Sequence, residues 1–479
     1  MSHARARRQG RTNARSRGFA TAIVLWAVAI AALALAAVQL VAARQSAAGR
    51  ETLARTRAKW AARAGLEATI ARLQAEAQQA SPLGGASLLK DLAVAAEGAL
   101  GADASAPDAR YRVVYADRTG EQLGAQDAHA RLNVNLMTAD DLLLLPSMTE
   151  EMADAILDWI DADDLPRVGA SSAGGAELET YSTGRSPYRP RNGPVRSLAE
   201  LELIRGVSAE MVRGEDWNLN GVLDASENDG DQSWPPDNAD GVLDAGWSAV
   251  LTASSIDGGL SPDGLDKLDL TATDAAQLTA ELGLSDVQGQ TLAAYATGDA
   301  PTMEELIRTP LSTLAQTLQS EGRLDLSQGR GQGRAGGGGR GGGTQQVQVP
   351  DLNTDQLAGL LERTVMGDPA VVRPGKLNLN TASEETLEYV AAISPELRDA
   401  LLAFRDGQAG DIQKVTDLLQ IESVSNQVLA DLYRLVGVRS NVFVVTVRGR
   451  DEATGIEVEM SAEIDRSADP VIIRSIVTR

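Results

Sequence analysis

The chain has 479 residues, 43% hydrophobic but only 3% aromatic, so it has length for two to four domains with cores built from Leu, Val, Ile and Ala. The net charge of −22 is unevenly spread: residues 1–63 hold twelve Lys/Arg and one acid, Glu51, leaving about −33 on the remainder, which repels phosphate backbones and argues against nucleic acid as a partner. With no cysteine and only His3 and His129, disulfides and Cys-ligated zinc are excluded, histidine catalysis nearly so, and no enzyme activity is expected.

Arg5, Arg7, Arg8, Arg11, Arg15 and Arg17 precede an uncharged stretch from Gly18 to Ala43. As a helix, Phe19 to Val41 would be about 35 Å long, enough for a hydrocarbon layer of roughly 30 Å. The basic flank keeps that end cytoplasmic. The reading is a single-pass inner-membrane protein with its C-terminal domain in the periplasm. A cleaved secretory signal or a plain signal anchor is the blander alternative.

Arg17-Gly18-Phe19 is more specific, because a basic leader ending in Gly before Phe and an apolar run resembles a type IV prepilin leader. The resemblance implies cutting by a prepilin peptidase after Gly18 and methylation of Phe19. Residues 1–18 are then leader, 19–43 the transmembrane helix and 44–78 its periplasmic extension. The helical pattern does continue: no Pro interrupts Arg44 to Glu76, and Leu66, Ile70 and Leu73 share one face. Ile23 takes the fifth mature position, where most pilins carry Glu; the K-type pseudopilins typically lack that Glu.

Residues 105–130, with Tyr111–Tyr115, and 436–479, with runs Val442–Val447, Ile456–Ile464 and Val471–Val477, are β-rich and predict one pilin-type sheet assembled from both ends. Between them lie helical units at 131–213, 262–320 and 349–435. At a constant offset of 245, Arg131-Leu132-Asn133-Val134-Asn135 meets Lys376-Leu377-Asn378-Leu379-Asn380, and Trp159 meets Phe404; a weaker copy starts at Lys267. Each unit reads as an extended piece, an N-cap (Thr138, Thr273 or Ser383), a helix, a turn and a second helix. They resemble helix-hairpin-helix modules. Their hairpins, such as Pro146-Ser147-Met148 and Gly283-Leu284-Ser285, lack the Gly-x-Gly that brings amides to phosphate, so a protein scaffold is expected. The Gly-rich stretch 328–345 reads as a flexible linker.

In 214–250, Asp216, Asn218, Asn220, Val222 (carbonyl), Asp224 and Glu227 fall at the ligand positions of a twelve-residue EF-hand-type loop, with Gly221 at its sharp turn. Hard oxygens at this spacing suit Ca²⁺. Asn238, Asp240 and Asp244 repeat the middle of that loop as a weaker second site. Pro236 and Trp247 stand where its end ligands belong, so Asp229, Asp231 or Asp237 are the expected substitutes.

Asn133-Val134-Asn135, Asp158-Trp159-Ile160-Asp161-Ala162-Asp163, Gly175-Ala176-Glu177, Tyr188-Arg189-Pro190-Arg191-Asn192 and Ser197-Leu198-Ala199-Glu200-Leu201 together resemble general secretion pathway protein K. That family implies an α+β fold: a long N-terminal helix and a pilin-type sheet head with a large inserted helical domain. The implied function is that of a minor pseudopilin initiating or capping the type II secretion pseudopilus at its tip. Its partners would be the I- and J-type minor pseudopilins and the major pseudopilin. Asp158, Asp161, Asp163 and Glu177 are read as fixing loops, capping helices or sitting near an ion. The alternatives are a minor pilin of a type IV or DNA-uptake pilus, or a membrane-tethered helix-hairpin-helix DNA receptor.

Overall fold

The computed structural model describes residues 15–77, 85–101, 107–117, 120–167, 174–183, 186–326, 348–407, 410–468 and 470–479. The first fourteen residues of the expected leader and all of the Gly-rich stretch 328–345 lie outside them. Helix α1 (Arg15–Ala77) runs unbroken for 63 residues. Among the described residues it is the one helix long and apolar enough to cross a membrane, and its apolar window is uncovered by the rest of the chain. From Ala54 the environment changes. Ala54, Ala58, Ala61, Ala62, Leu66 and Leu73 are all buried, so the second half of the helix is a docked amphipathic helix.

A second helix, α2 (Gly85–Val94), buries Leu88 and Leu92 in the same core. Four strands follow: β1 (Glu97–Leu100), β2 (Ala109–Asp117), β3 (Gly120–Leu123) and β4 (Gln126–Asp127).

The insert then repeats one plan three times. In the first unit, β5 (Leu132–Asn133) leads to α3 (Ala139–Leu142) and α4 (Glu150–Ile160), then α5 (Leu178–Ser182) and α6 (Ala209–Arg213). The unit closes with β6 (Leu251–Thr252), which pairs parallel with β5. A two-residue β7 (Ile256–Asp257) intervenes. The second unit has β8 (Leu268–Asp269), α7 (Ala275–Leu282), α8 (Asp286–Ala296), α9 (Met303–Arg308), α10 (Leu311–Ser320) and α11 (Thr354–Arg363). Its closing strand β9 (Thr364–Val365) again pairs parallel with the first. After β10 (Arg373–Pro374), antiparallel to β7, comes the third unit. It contains β11 (Leu377–Asn378), α12 (Glu384–Glu388), α13 (Pro395–Gly407), α14 (Asn426–Tyr433) and β12 (Val436–Gly437), parallel to β11.

The Asn-x-Asn pairs latch the first and third units identically. Asn133 Nδ2 donates to the Ser255 hydroxyl (3.0 Å) and Asn378 Nδ2 to the Ser440 hydroxyl (2.7 Å). Asn135 exchanges two hydrogen bonds with the Val195 backbone, and Asn380 does the same with Ile412. Such a buried amide with both ends satisfied fixes a loop against a strand without an orphaned group. The caps follow the sequence except in the second unit. There Asp274, not Thr273, accepts from the third amide of the helix, while the Thr273 hydroxyl turns back to the Asp269 carbonyl. A carboxylate one residue later is the stronger acceptor for that helix end.

The chain returns to the sheet with β13 (Val442–Asp451), β14 (Glu457–Asp465) and β15 (Ile472–Thr478). The sheet order is β1-β2-β13-β14-β15, antiparallel throughout, with β3 on β2 and β4 on β13. Residues from both ends of the chain therefore form one core: Leu66, Leu73 and Val113 with Phe443, Val445, Val447 and Ile464. Each such side chain contributes about 1.5–3 kcal/mol on burial. Close helix-to-sheet approach depends on two glycines. A Cβ on Gly449 would lie 2.0 Å from the Ala58 carbonyl, and one on Gly65 would lie 2.6 Å from Tyr111 and Val447.

Candidate metal centres

The C-terminus of α4 delivers Asp158 and Trp159 to the interior, and the chain then turns through Asp161, Asp163 and Asp164. Asp158 is buried and its carboxylate accepts from the Arg167 amide (3.1 Å). Gly175 has to be glycine here, since a Cβ would stand 1.8 Å from Asp158 Oδ2. The next turn places Glu177 against the same loop, 3% exposed, with both carboxylate oxygens lacking any hydrogen-bond partner; Asp161 Oδ1 also has none. One ligand atom each from Asp161, Asp163 and Glu177 lie within 4.8 Å of one another. Burial first, then repulsion from Asp158, Asp161, Asp164 and Asp163, pushes the Glu177 carboxyl up to about 7. Burial likewise raises Asp158 and Asp161. The nearest cation is peripheral: Arg167 approaches Asp161 at 3.9 Å. A group of acids this short of donors and of positive charge fits a bound cation.

The loop from Asp216 to Glu227 is differently made. Asp216 Oδ1 and Oδ2 accept from the amides of Asn220 (2.9 Å) and Gly221 (2.8 Å). Glu227 reaches back so that Oε1 accepts from the Trp217 amide (2.9 Å) and Oε2 from the Asp224 amide (3.0 Å). The Asn218 and Asn220 amides both donate to Asp224 Oδ2. Gly221 has φ +71°, which the sharp turn requires. The sequence-predicted ligand side chains Asp216, Asn218, Asn220, Asp224 and Glu227 are thus gathered into one hydrogen-bonded turn. Burial pushes both the Asp216 and Glu227 carboxyls up against the pull of their amides, so an approaching cation would meet two acids that gain from it.

The second loop is closed by residues that spacing alone did not point to. Asn238, Asp240 and Asp244 each accept from the amide two residues on. The carboxylate spanning the loop belongs to Glu215, whose Oε1 accepts from Asn238 (3.0 Å) and Oε2 from Asp244 (3.2 Å). Glu215 thereby copies what Glu227 does in the first loop. Asn228 Oδ1 accepts from Gly241 (3.0 Å), the bond that Asp216 makes to Gly221. Two of the three expected substitutes hold other amides: Asp237 takes those of Asp229, Gly230 and Ala239, and Asp229 takes Ser233. Trp247 stands at the glutamate position because it is a core residue, 2% exposed, with Nε1 donating to the Pro146 carbonyl. Gly18 and Phe19 lie within α1, and Phe19 is exposed.

Residues 119–214, which contain the whole carboxylate cluster, match the family model of type II secretion system (T2SS) protein K. Over these residues the chain is similar to the type II secretion protein K family. The type II secretion system protein K of Pectobacterium carotovorum subsp. carotovorum is 36% identical over 64 residues, 13% of this chain and 18% of that relative's length. The crystal structure of the GspK-GspI-GspJ complex from the enterotoxigenic Escherichia coli type 2 secretion system aligns over 91% of this chain and 99% of that chain, with a TM-score of 0.39 and 12% identity. Within the protein K domain, the remaining motif residues brace the acidic loop. Asn192 Nδ2 holds the Asp163 carbonyl (2.8 Å) and Asp164 Oδ1 (2.9 Å). Glu200 joins Trp159 Nε1 to the Arg191 guanidinium. Trp159, Tyr181 and Tyr188 pack as an aromatic trio under it.

Proposed function

We propose that the chain is a minor pseudopilin at the tip of the type II secretion pseudopilus, acting in protein secretion across the outer membrane by initiating or capping the filament. It is anchored in the inner membrane by α1 and carries its sheet and insert in the periplasm. The observation that carries this reading is the combination of a protein K domain with its setting. That domain is inserted in an antiparallel sheet on which the continuation of an apolar membrane-length helix is docked. The tip position follows from two features. Ile23 offers no carboxylate to the amine of a neighbouring subunit, so a mid-filament position would leave a buried cation unpaired, at several kcal/mol. The large insert between β4 and β13 would also clash with a subunit stacked above the head. The partners are then the I- and J-type minor pseudopilins and the major pseudopilin. The prepilin peptidase is the processing enzyme, cutting at Gly18 so that Phe19 becomes the methylated N-terminus.

The cofactor of this reading is Ca²⁺, whose preference for hard oxygen ligands fits all three acidic groups. The acidic turn offers Asp161, Asp163 and Glu177. The EF-hand-type loop offers Asp216, Asn218, Asn220, the Val222 carbonyl, Asp224 and Glu227. The weaker loop offers Asn238, Asp240 and Asp244 with Glu215. The ions would hold loops in place and have no chemical step to perform.

The test is the intact mass of full-length protein from native membranes together with affinity capture in detergent. A start at methylated Phe19 and recovery of two small pseudopilins in equal amounts are expected. A start at Met1 or cleavage near Ala43, or capture of a homopolymer, overturns the reading.

A further inference from the structure

A cavity of about 520 Å³ opens where the sheet meets the insert. Its walls come from both bodies: Lys376 and Tyr433 from the third helical unit, Glu362 from α11, and Arg439 and Arg466 from the segments that lead into and out of the sheet. Cations dominate once local pairs are set aside. Lys267 is matched by Asp257 (3.2 Å) and Asp263 by Arg363, and Arg466 has Asp127 and Glu76 beside it, which leaves Lys376 and Arg439 facing Glu362. Lys376 Nζ rests on the Tyr433 ring, 3.0 Å from its centroid. Arg439 Nε is buried with no hydrogen-bond partner. Arg466 is oriented by donating from Nε to the Ser440 carbonyl (3.0 Å), with Asp127 behind it.

His129 supplies an independent sign. It is 2% exposed and lines the cavity. Its Nδ1 sits 2.8 Å from the Lys376 carbonyl, and its Nε2 has no partner. A carbonyl can only accept, so Nδ1 carries a proton and Nε2 is the end left for the cavity. Burial lowers Lys376 to about 7 and Arg466 to about 10, and Arg439 adds to the depression of Arg466.

We propose that this cavity binds a small oxyanion that keeps one hydroxyl: its charged oxygens are held by Lys376 and the Arg439 guanidinium, its hydroxyl donates to His129 Nε2, and the bound anion bridges the sheet to the insert. Planar guanidinium and ammonium donors beside an acceptor nitrogen suit hydrogen phosphate or the half-protonated form of a short dicarboxylate, each of which offers charged oxygens and one hydroxyl. Bridging two bodies from one site stabilises their junction by mass action.

The experiment uses the full chain in detergent at constant ionic strength, titrated with inorganic phosphate in one arm and succinate in the other, against chloride. Calorimetry should show one site for at least one probe, and the preferred probe identifies the source of the oxyanion. Arg439→Gln and Lys376→Met should each weaken binding by roughly tenfold, the expected loss for one charge-assisted contact. Because His129 has one histidine companion, His3, its ring nitrogens can be followed by NMR, and the Nε2 shift should move on saturation. Circular dichroism of each variant separates lost binding from lost folding, and Lys376→Met serves if Arg439→Gln does not fold. The proposal is overturned if neither probe binds above the chloride control, if a folded Arg439→Gln or Lys376→Met binds as tightly as the parent, or if the Nε2 shift stays put at saturation.

Discussion

Two acid-rich turns stand within sixty residues of each other and are built on opposite principles. In the 216–227 loop, every carboxylate oxygen of Asp216 and Glu227 is met by a backbone amide. In the 158–177 turn, both oxygens of Glu177 and one of Asp161 meet nothing. The first arrangement is organised by its own backbone, so a cation adds affinity to a shape that already exists. The second converges acids from two sides of a loop without donors, so a cation supplies charge that the fold lacks. Ligand spacing and dependence of folding on the ion are therefore separate properties. The turn without the recognisable spacing is the one whose stability should depend most on metal.

The largest expected effect follows from that asymmetry and has opposite signs in two conditions. In chelator, Glu177→Gln should raise the melting temperature, because it removes a buried charge whose lack of a partner costs about 3 kcal/mol or more. In calcium, the same substitution should lower it by removing a ligand. Thermal melts of the two proteins in both conditions check this, and a variant that is neutral in both would dissolve the contrast.

Proton linkage gives a second route to the same point. The Glu177 carboxyl titrates at about 7 in the folded chain against an ordinary 4.5. Between those values the native state holds a proton that the unfolded chain has released, so stability must fall as pH rises through that window. Chelated protein should lose stability from about pH 4.5 to about pH 7 and level off above it, and saturating calcium should abolish the slope. A melting series across that range, with and without calcium, measures it.

In the 216–227 loop the expected losses are smaller and divide between two variants. Glu227→Ala strands the half-buried Trp217 and Asp224 amides, about 1–3 kcal/mol each at most, even in chelator. Glu227→Gln keeps one of the two acceptors and turns an NH2 donor towards the other amide, so it should lose less chelated stability than Glu227→Ala while calcium affinity drops about tenfold or more. Equal behaviour of the two variants would mean that the loop is only a turn.

The contrast also explains what was legible in the chain itself. The 245-residue offset carried through to helix starts, Ala139 with Glu384 and Glu150 with Pro395, because a repeated unit repeats its caps and its apolar spacing together. The strands at Val442, Glu457 and Ile472 were readable from β-branched runs. Strand β1 and helix α2 were not, since Glu-Gly-Ala-Leu has almost no alternation and α2 has only Leu88, Leu89 and Leu92 to mark a face. The EF-hand-type turn was legible because one turn of backbone places its polar side chains at fixed intervals. For Asp161, Asp163 and Glu177 the sequence leaves loop-fixing, helix-capping and a nearby ion side by side, because a sixteen-residue excursion hides which of five nearby acids lack donors. The only hint was the excess of acids over bases there.

The smallest effect belongs to the second loop, where the two principles meet. Its central residues Asn238, Asp240 and Asp244 follow the spacing of the first loop, but they are exposed and their spanning carboxylate is borrowed from Glu215, outside the repeat. An exposed loop whose hydrogen bonds can be replaced by water contributes little to folding, about 0.5–1.5 kcal/mol for the bonds Glu215 makes. Its calcium should be the weakest bound of the set. Glu215→Ala should therefore lower calcium stoichiometry by one at millimolar calcium while barely moving the melting temperature in chelator. Asp231→Ala, which removes an acid that spacing alone had nominated, should leave stoichiometry unchanged. If Asp231→Ala loses the ion and Glu215→Ala keeps it, then the bridging bonds of Glu215 to Asn238 and Asp244 only close a turn, and backbone-matched carboxylates mark a calcium site in the first loop alone.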